Sequence, residues 1–266
     1  MIERAHGQWK DVITKRMHAL NGRLIKGPGY MLFDAGVPEL DAHMRGGVLD
    51  KTGDFDAVLS AFPALYDGRR EEWALRIVPE RTAEAAQILP ERGWKLRNPE
   101  GSPIMSIETP TNYAKVHVAE LVAQNRDGVT LLSAAVPVIA EAFDLSTASA
   151  EKLLLHGQYN TNPNARAAVI REAGQVVSAG LMVYTPALRT AGLYYIATRS
   201  ACRGRGLAKD LVSLLTDTAF ELGATAVILQ ASKLGRFVYE HLGYREIGRY
   251  MVWLHPDTGM PTPSVN

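Results

Sequence analysis

The sequence predicts an α/β chain in which a mixed sheet is flanked by helices. Three observations carry that expectation. Short apolar runs alternate with longer stretches whose apolar residues recur at helical spacing. One such run, 193–198, leads through a glycine-bearing turn into a helical stripe of Leu207, Leu211, Leu214, Leu215, Ala219 and Leu222, with Gly223 as the stop. Residues 225–230 then form a continuous apolar run, as expected of a strand buried on both faces.

Residues 1–22 read as a helix, because Trp9, Val12, Ile13, Met17 and Leu20 fall on one face. Gly27, Pro28 and Gly29 break the chain before a short strand at 30–33, and the glycine-rich stretch 34–55 gives no clear pattern. A helix is expected over 55–66 from Phe55, Val58, Leu59 and Phe62, then a strand at 73–78 closed by Pro79. Residues 82–92 suit a helix ended by Gly93, followed by a strand at 104–107. This strand–helix–Gly-aromatic–strand order recurs near the C-terminus. The first half therefore reads either as a degenerate copy of the second, without a phosphate loop, or as an unrelated α/β cap.

The polar stretch 109–112 marks a boundary, giving an N-terminal lobe at 1–110 and a second domain at 111–266. Alternation over 116–122 suggests a strand. Residues 130–143 form an apolar helix, and Ser146 or Thr147 caps a second one ending near His156 and Gly157. Strands at 165–171 and 176–184 flank a hairpin turn at Glu172, Ala173, Gly174 and Gln175. After the run at 225–230, Leu234, Phe237, Val238, His241 and Leu242 mark one face of a short helix stopped by Gly243. A last strand spans 247–254.

A net charge of +1 gives no global pull on nucleic acid, and no long apolar run at the N-terminus suggests a signal peptide or membrane span. A single cysteine, Cys202, excludes an intramolecular disulfide and a cysteine-based metal cluster. These features point to a cytoplasmic globular protein with no metal, no nucleic-acid partner and no membrane partner.

The turn Arg203-Gly204-Arg205-Gly206-Leu207-Ala208 sits between strand and helix, where backbone N–H groups and the helix dipole favour an anion. No Lys-Ser or Lys-Thr follows the glycines, which excludes a Walker loop, and Lys209 stands where a dinucleotide fingerprint needs its third glycine. What remains is R-x-x-G-x-A, filled by Arg203, Gly206 and Ala208. That pattern, followed in order by Tyr239-Glu240-His241-Leu242-Gly243-Tyr244, resembles the GCN5-related N-acetyltransferases (the GNAT superfamily) over about residues 113–254. Tyr244 takes the place of the family's usual Phe.

The resemblance implies a sheet splayed open between its fourth and fifth strands, here 193–198 and 225–230, with acetyl-CoA in the gap. It implies that the backbone of Ile196, Ala197 and Thr198 pairs with the pantetheine arm. Gly204, Arg205, Gly206, Leu207, Ala208 and Lys209 would hold the pyrophosphate together with Arg203. Arg199, Arg203, Arg205 and Lys209 form a basic cluster suited to coenzyme A phosphates. Ser232 would touch the cofactor or cap its helix. Tyr239 is the candidate catalytic proton donor to the departing thiolate, with Gly235 leaving space beside its ring. A glutamate often found before the phosphate loop is missing; Tyr194 and Tyr195 stand there, and Glu141, Asp144 and His156 are the remaining candidates for a base.

The expected function is acetyl-CoA-dependent N-acetylation of a small-molecule or peptide amine by direct attack, with the first half shaping the acceptor pocket. The alternative is a non-catalytic coenzyme A-binding regulatory or structural module. An apolar C-terminal strand edge would permit a homodimer.

Overall fold

The computed structural model describes residues 1–36, 45–66, 73–123, 126–155, 159 and 162–255. In chain order the elements are α1 (Ile2–Ala19), β1 (Arg23–Gly27), β2 (Tyr30–Asp34), β3 (Arg45–Leu49), α2 (Phe55–Ala61), α3 (Pro63–Tyr66), β4 (Ala74–Ile77), α4 (Thr82–Glu91), β5 (Lys95–Leu96) and β6 (Ser102–Ile107). Then come β7 (Ala119–Val122), α5 (Arg126–Phe143), α6 (Thr147–Leu155), β8 (Ala165–Glu172), β9 (Gln175–Thr185), β10 (Thr190–Thr198), α7 (Leu207–Glu221), β11 (Ala226–Gln230), α8 (Arg236–His241) and β12 (Arg245–Leu254). They fold as two compact units: Met1–Leu20 with Pro103–Gly248, and Asn21–Ser102 with the chain from Arg249 onward.

In the first unit the sheet order is β6–β11–β10–β9–β8–β7. Only the β10–β11 pair is parallel; the others run antiparallel. One face is covered by α7, whose Leu207, Leu211, Leu215 and Ala219 pack on Met182, Leu193 and Val227. The other is covered by α1, α5 and α6, where Val12, Val136, Ile139 and Leu154 join Val169, Leu181 and Val183. The buried Gln8 fixes α1 to this sheet: its Nε2 donates to the Val183 carbonyl at 2.9 Å, and its Oε1 accepts from Thr190 Oγ1 at 2.9 Å.

The second unit is built on β1–β2–β3–β4, with β12 next to β4 and β5 on β12. Its core holds Leu32, Phe55, Phe62, Trp73, Leu75, Trp94 and Trp253.

Several sequence expectations change in detail. The helix expected over 55–66 is two helices, because Pro63 has no N–H to continue the first. The unreadable stretch 34–55 contains β3, whose glycines answer to packing: a Cβ on Gly46, at φ +137°, would lie on the Ala74 carbonyl of β4. The hairpin turn at 172–175 forms with Ala173 and Gly174 both at positive φ (47° and 79°), the conformation a two-residue hairpin favours. The strand expected at 116–122 forms only over β7, since the residues before it are tied instead to α7.

Candidate active site

The sheet opens where the chemistry is expected. The ladder between β10 and β11 holds Thr190 to Ala226, Ala191 to Val227 and Gly192 to Ile228, and then stops. Beyond Gly192, β10 stays paired only with β9. That pairing is interrupted between Tyr194 and Ala197, where Tyr195 takes a φ of +53°, uncommon for a bulky side chain. The edge of 193–198 that faces away from β9 is left without a ladder partner among the described residues. Of the residues expected to meet the pantetheine arm, the Ala197 carbonyl accepts from Ser178 Oγ at 2.8 Å, and the Thr198 carbonyl accepts from Arg203 Nε at 3.2 Å.

The turn at 200–202 and the glycine loop follow. Gly204 and Gly206 both have positive φ (78° and 85°), and the first backbone bonds of the helix are made by Lys209 and Asp210 to the Gly206 carbonyl. The N–H groups of Gly204, Arg205, Gly206, Leu207 and Ala208 find no acceptor among the described residues. A Cβ on Gly204 would meet nothing, so the loop faces open space. Successive amides at a helix N-terminus, open on one side, form a cradle suited to a pyrophosphate.

The basic side chains around that cradle are engaged with protein. Arg205 makes a two-pronged ion pair with Glu172 (2.9 and 2.6 Å), and Arg199 Nε donates to the Val176 carbonyl at 3.1 Å. The Lys209 ammonium lies 5.7 Å from the Tyr113 ring centroid. Cys202 is half-buried beside Arg205.

Tyr239 is buried in α8, with its ring edge-on to Tyr244 at 5.9 Å. Its hydroxyl has no hydrogen-bond partner among the described residues, yet it is not sealed from solvent. Burial pushes its phenol up to about 12. The apolar face expected for this helix is corrected here: Leu234 and Phe237 are 78% and 64% exposed, while Tyr239 and Leu242 are buried. A tyrosine ring buries a large apolar area despite its hydroxyl, which a stripe drawn from aliphatic residues misses. Gly235 also has another use than the one expected. The Tyr239 ring itself lies over it, and a Cβ there would stand 3.0 Å from Tyr239 Cε2. Ser232 Oγ accepts from the Gly235 N–H at 3.0 Å, which fastens the turn into α8.

The carboxylate candidates separate. Glu141 accepts from both the N–H and the Oγ of Ser200, bonds that hold its carboxyl below the usual range. Asp144, at φ +51°, forms the left-handed turn after α5. His156 lies outside the described residues. No strand carboxylate takes their place on β10; instead the buried Arg16 of α1 lies 5.2–5.9 Å from the rings of Tyr159, Tyr194 and Tyr195 and donates to Tyr159 Oη at 2.6 Å. Nothing in the local pattern announces this cluster, because Arg16 sits inside an otherwise ordinary helical stripe. Among the described residues there is no group of three or more His, Cys, Asp or Glu able to hold a metal ion, and no helix long and apolar enough to cross a membrane.

Residues 138–244 match the family model described as Acetyltransferase (GNAT) family. No curated protein matches the chain significantly. Among solved structures, a GCN5-related N-acetyltransferase from Kribbella flavida is 15% identical, with a TM-score of 0.66 over 92% of this chain and 95% of its own. One from Sphaerobacter thermophilus is 14% identical, with a TM-score of 0.61 over 94% and 92%. A conserved protein of unknown function from Staphylococcus epidermidis is also 14% identical, with a TM-score of 0.62 over 89% and 94%. At such identities the likeness is one of fold, and it extends over most of the chain. The match to the GNAT acetyltransferase family thus covers residues 138–244, the part of the chain in which the sheet parts between β10 and β11.

Proposed function

We propose that this protein acetylates a primary amine of a small molecule or peptide, by direct attack of the amine on acetyl-CoA with no acyl-enzyme. The family's activity is acetyl-CoA-dependent acyl transfer. The observation that carries the reading for this chain is the row of unpaired amides from Gly204 to Ala208, set at the end of the 193–198 edge that has no ladder partner among the described residues. We assign the chemistry to the second half, 111–266.

In this reading the amides of Gly204 to Ala208, with Arg203, hold the pyrophosphate, and the open edge at Ile196, Ala197 and Thr198 guides the pantetheine arm. Attack forms the N–C bond and places negative charge on the carbonyl oxygen, which a free strand N–H can meet. As the C–S bond breaks, Tyr239 passes its phenolic proton to the sulfur and is reloaded from solvent, while the amine's extra proton leaves to water. The absence of a strand carboxylate fits an amine that arrives neutral or loses its proton through water; a general base contributes about 10²–10⁴-fold, so transfer proceeds more slowly without one.

Thermal unfolding with and without saturating acetyl-CoA tests the reading. A ligand at 100 times its Kd stabilises the native state by about 2.7 kcal/mol. We expect the shift in the wild type and its loss in Gly206→Glu, which places an anion in the cradle. A wild type that shifts with ATP or NAD but not with acetyl-CoA would refute the assignment.

A further inference from the structure

The last turn of α5 reaches both backbone features that frame the cofactor site. Glu141 receives the Ser200 N–H at 2.7 Å and the Ser200 Oγ at 2.5 Å, both on one oxygen. Two positions on, Phe143 stands edge-on to Tyr195 at 5.5 Å, against the residue of β10 that bears the positive φ. Ser200 begins the short turn whose carbonyl accepts the Arg203 N–H, and Arg203 in turn reaches back to the Thr198 carbonyl. A line of contacts therefore runs from α5 through Ser200 to the first residue of the phosphate motif. Glu141 is poorly placed for its own helix, since a carboxylate near a helix C-terminus opposes the macrodipole. It also brings negative charge toward a site built for phosphates, which binding alone would disfavour. Its two bonds to Ser200 account for its position.

We propose that the last turn of α5 is a clamp that sets the cofactor loop, with Glu141 as the positioning residue acting through Ser200. This rests on the acetyl-CoA reading above. Glu141 Oε1 is then spent on the loop. The loop is shaped before the cofactor arrives, so that ordering it does not weaken binding.

Calorimetric titration of the full chain with acetyl-CoA, alongside the unfolding temperature of the unliganded protein, provides the test. Glu141→Ala should raise the Kd about fivefold to tenfold, the effect of losing two hydrogen bonds at an exposed site. Glu141→Gln retains an oxygen that can accept both bonds and should bind to within about twofold of wild type or more tightly, with the unliganded unfolding temperature unchanged. Ser200→Ala, which keeps the N–H bond, should fall between them and serves if Glu141→Ala fails to fold. Unchanged binding in Glu141→Ala or Ser200→Ala overturns the clamp while leaving the cofactor reading intact. Equal losses in the Ala and Gln variants also overturn it, because charge would then be responsible rather than the held geometry. A wild type that takes up no acetyl-CoA brings down both.

Discussion

Tyr239 combines two properties that pull against each other. Burial pushes its phenol up to about 12, so it stays protonated at neutral pH and is always loaded to donate. The same burial makes it a weak acid toward a thiolate whose own acid is near ~8.5, unless the sulfur is desolvated in the same site and its demand for a proton rises with it. Tyr239→Phe should therefore lower kcat by about 10²-fold with little change in the KM for acetyl-CoA, measured by thiol release with an amine found by screening. An unchanged kcat with chemistry rate-limiting would remove the role. Gly235→Ala offers an independent check, because its methyl would stand 3.0 Å from the Tyr239 ring and 3.1 Å from Ser232 Oγ. It should lower kcat by displacing the phenol, and it should cost almost nothing further in a Tyr239→Phe background; additive losses would mean that the two residues act separately.

At the scale of elements, α7 is fastened from outside as well as from the core. Residues 111–117 are held along one of its faces by Asp210, Ser213 and Asp217, spaced to share a side of the helix. Asp210 is fully buried and accepts from the N–H groups of Val116 (3.1 Å) and His117 (2.9 Å), with His117 Nδ1 at 2.6 Å. Thr111 bonds Ser213 and Asp217, and Lys115 pairs with Asp217 at 3.0 Å. Asp210→Ala strands those amides and should cost about 2–4 kcal/mol, seen as a lower urea midpoint with an unchanged m-value. A loss below about 0.5 kcal/mol would show that water replaces the carboxylate. The sequence made α7 and β11 legible because their patterns are long and local. It misread this segment, since alternating apolar residues suggested a strand although Val116 and Val118 are 78% and 85% exposed. Backbone bonds to a carboxylate far along the chain decide the structure there, and periodicity does not record them.

For the whole molecule, the parting of the sheet was legible only through the family resemblance that the glycine loop carries, while the order of elements around that loop was legible from the apolar runs beside it. The partners of α1 and of the end of β12 were not. A helical stripe marks a face to be buried but not the sheet that covers it, and α1 joins the unit formed by Pro103–Gly248 while Arg249 onward joins the other. Both units nevertheless share one electrostatic consequence. Burial raises the phenol of Tyr239 to about 12 and raises those of Tyr244 and Tyr250 as well, with Tyr244 also bonded to Thr216 Oγ1 at 2.6 Å. The native state therefore keeps protons that the unfolded chain releases near ~10, so its stability is fully present below that pH and falls above it. Each such tyrosine contributes a slope of up to about 1.4 kcal/mol per pH unit between its unfolded and folded values. Urea midpoints should thus fall steeply from about pH 10 upward, and Tyr239→Phe should shallow that fall by one group's share while leaving its position near pH 10 unchanged. If the midpoint instead held level or rose through pH 10–12, these phenols would be ionising as freely in the native state as in the unfolded chain.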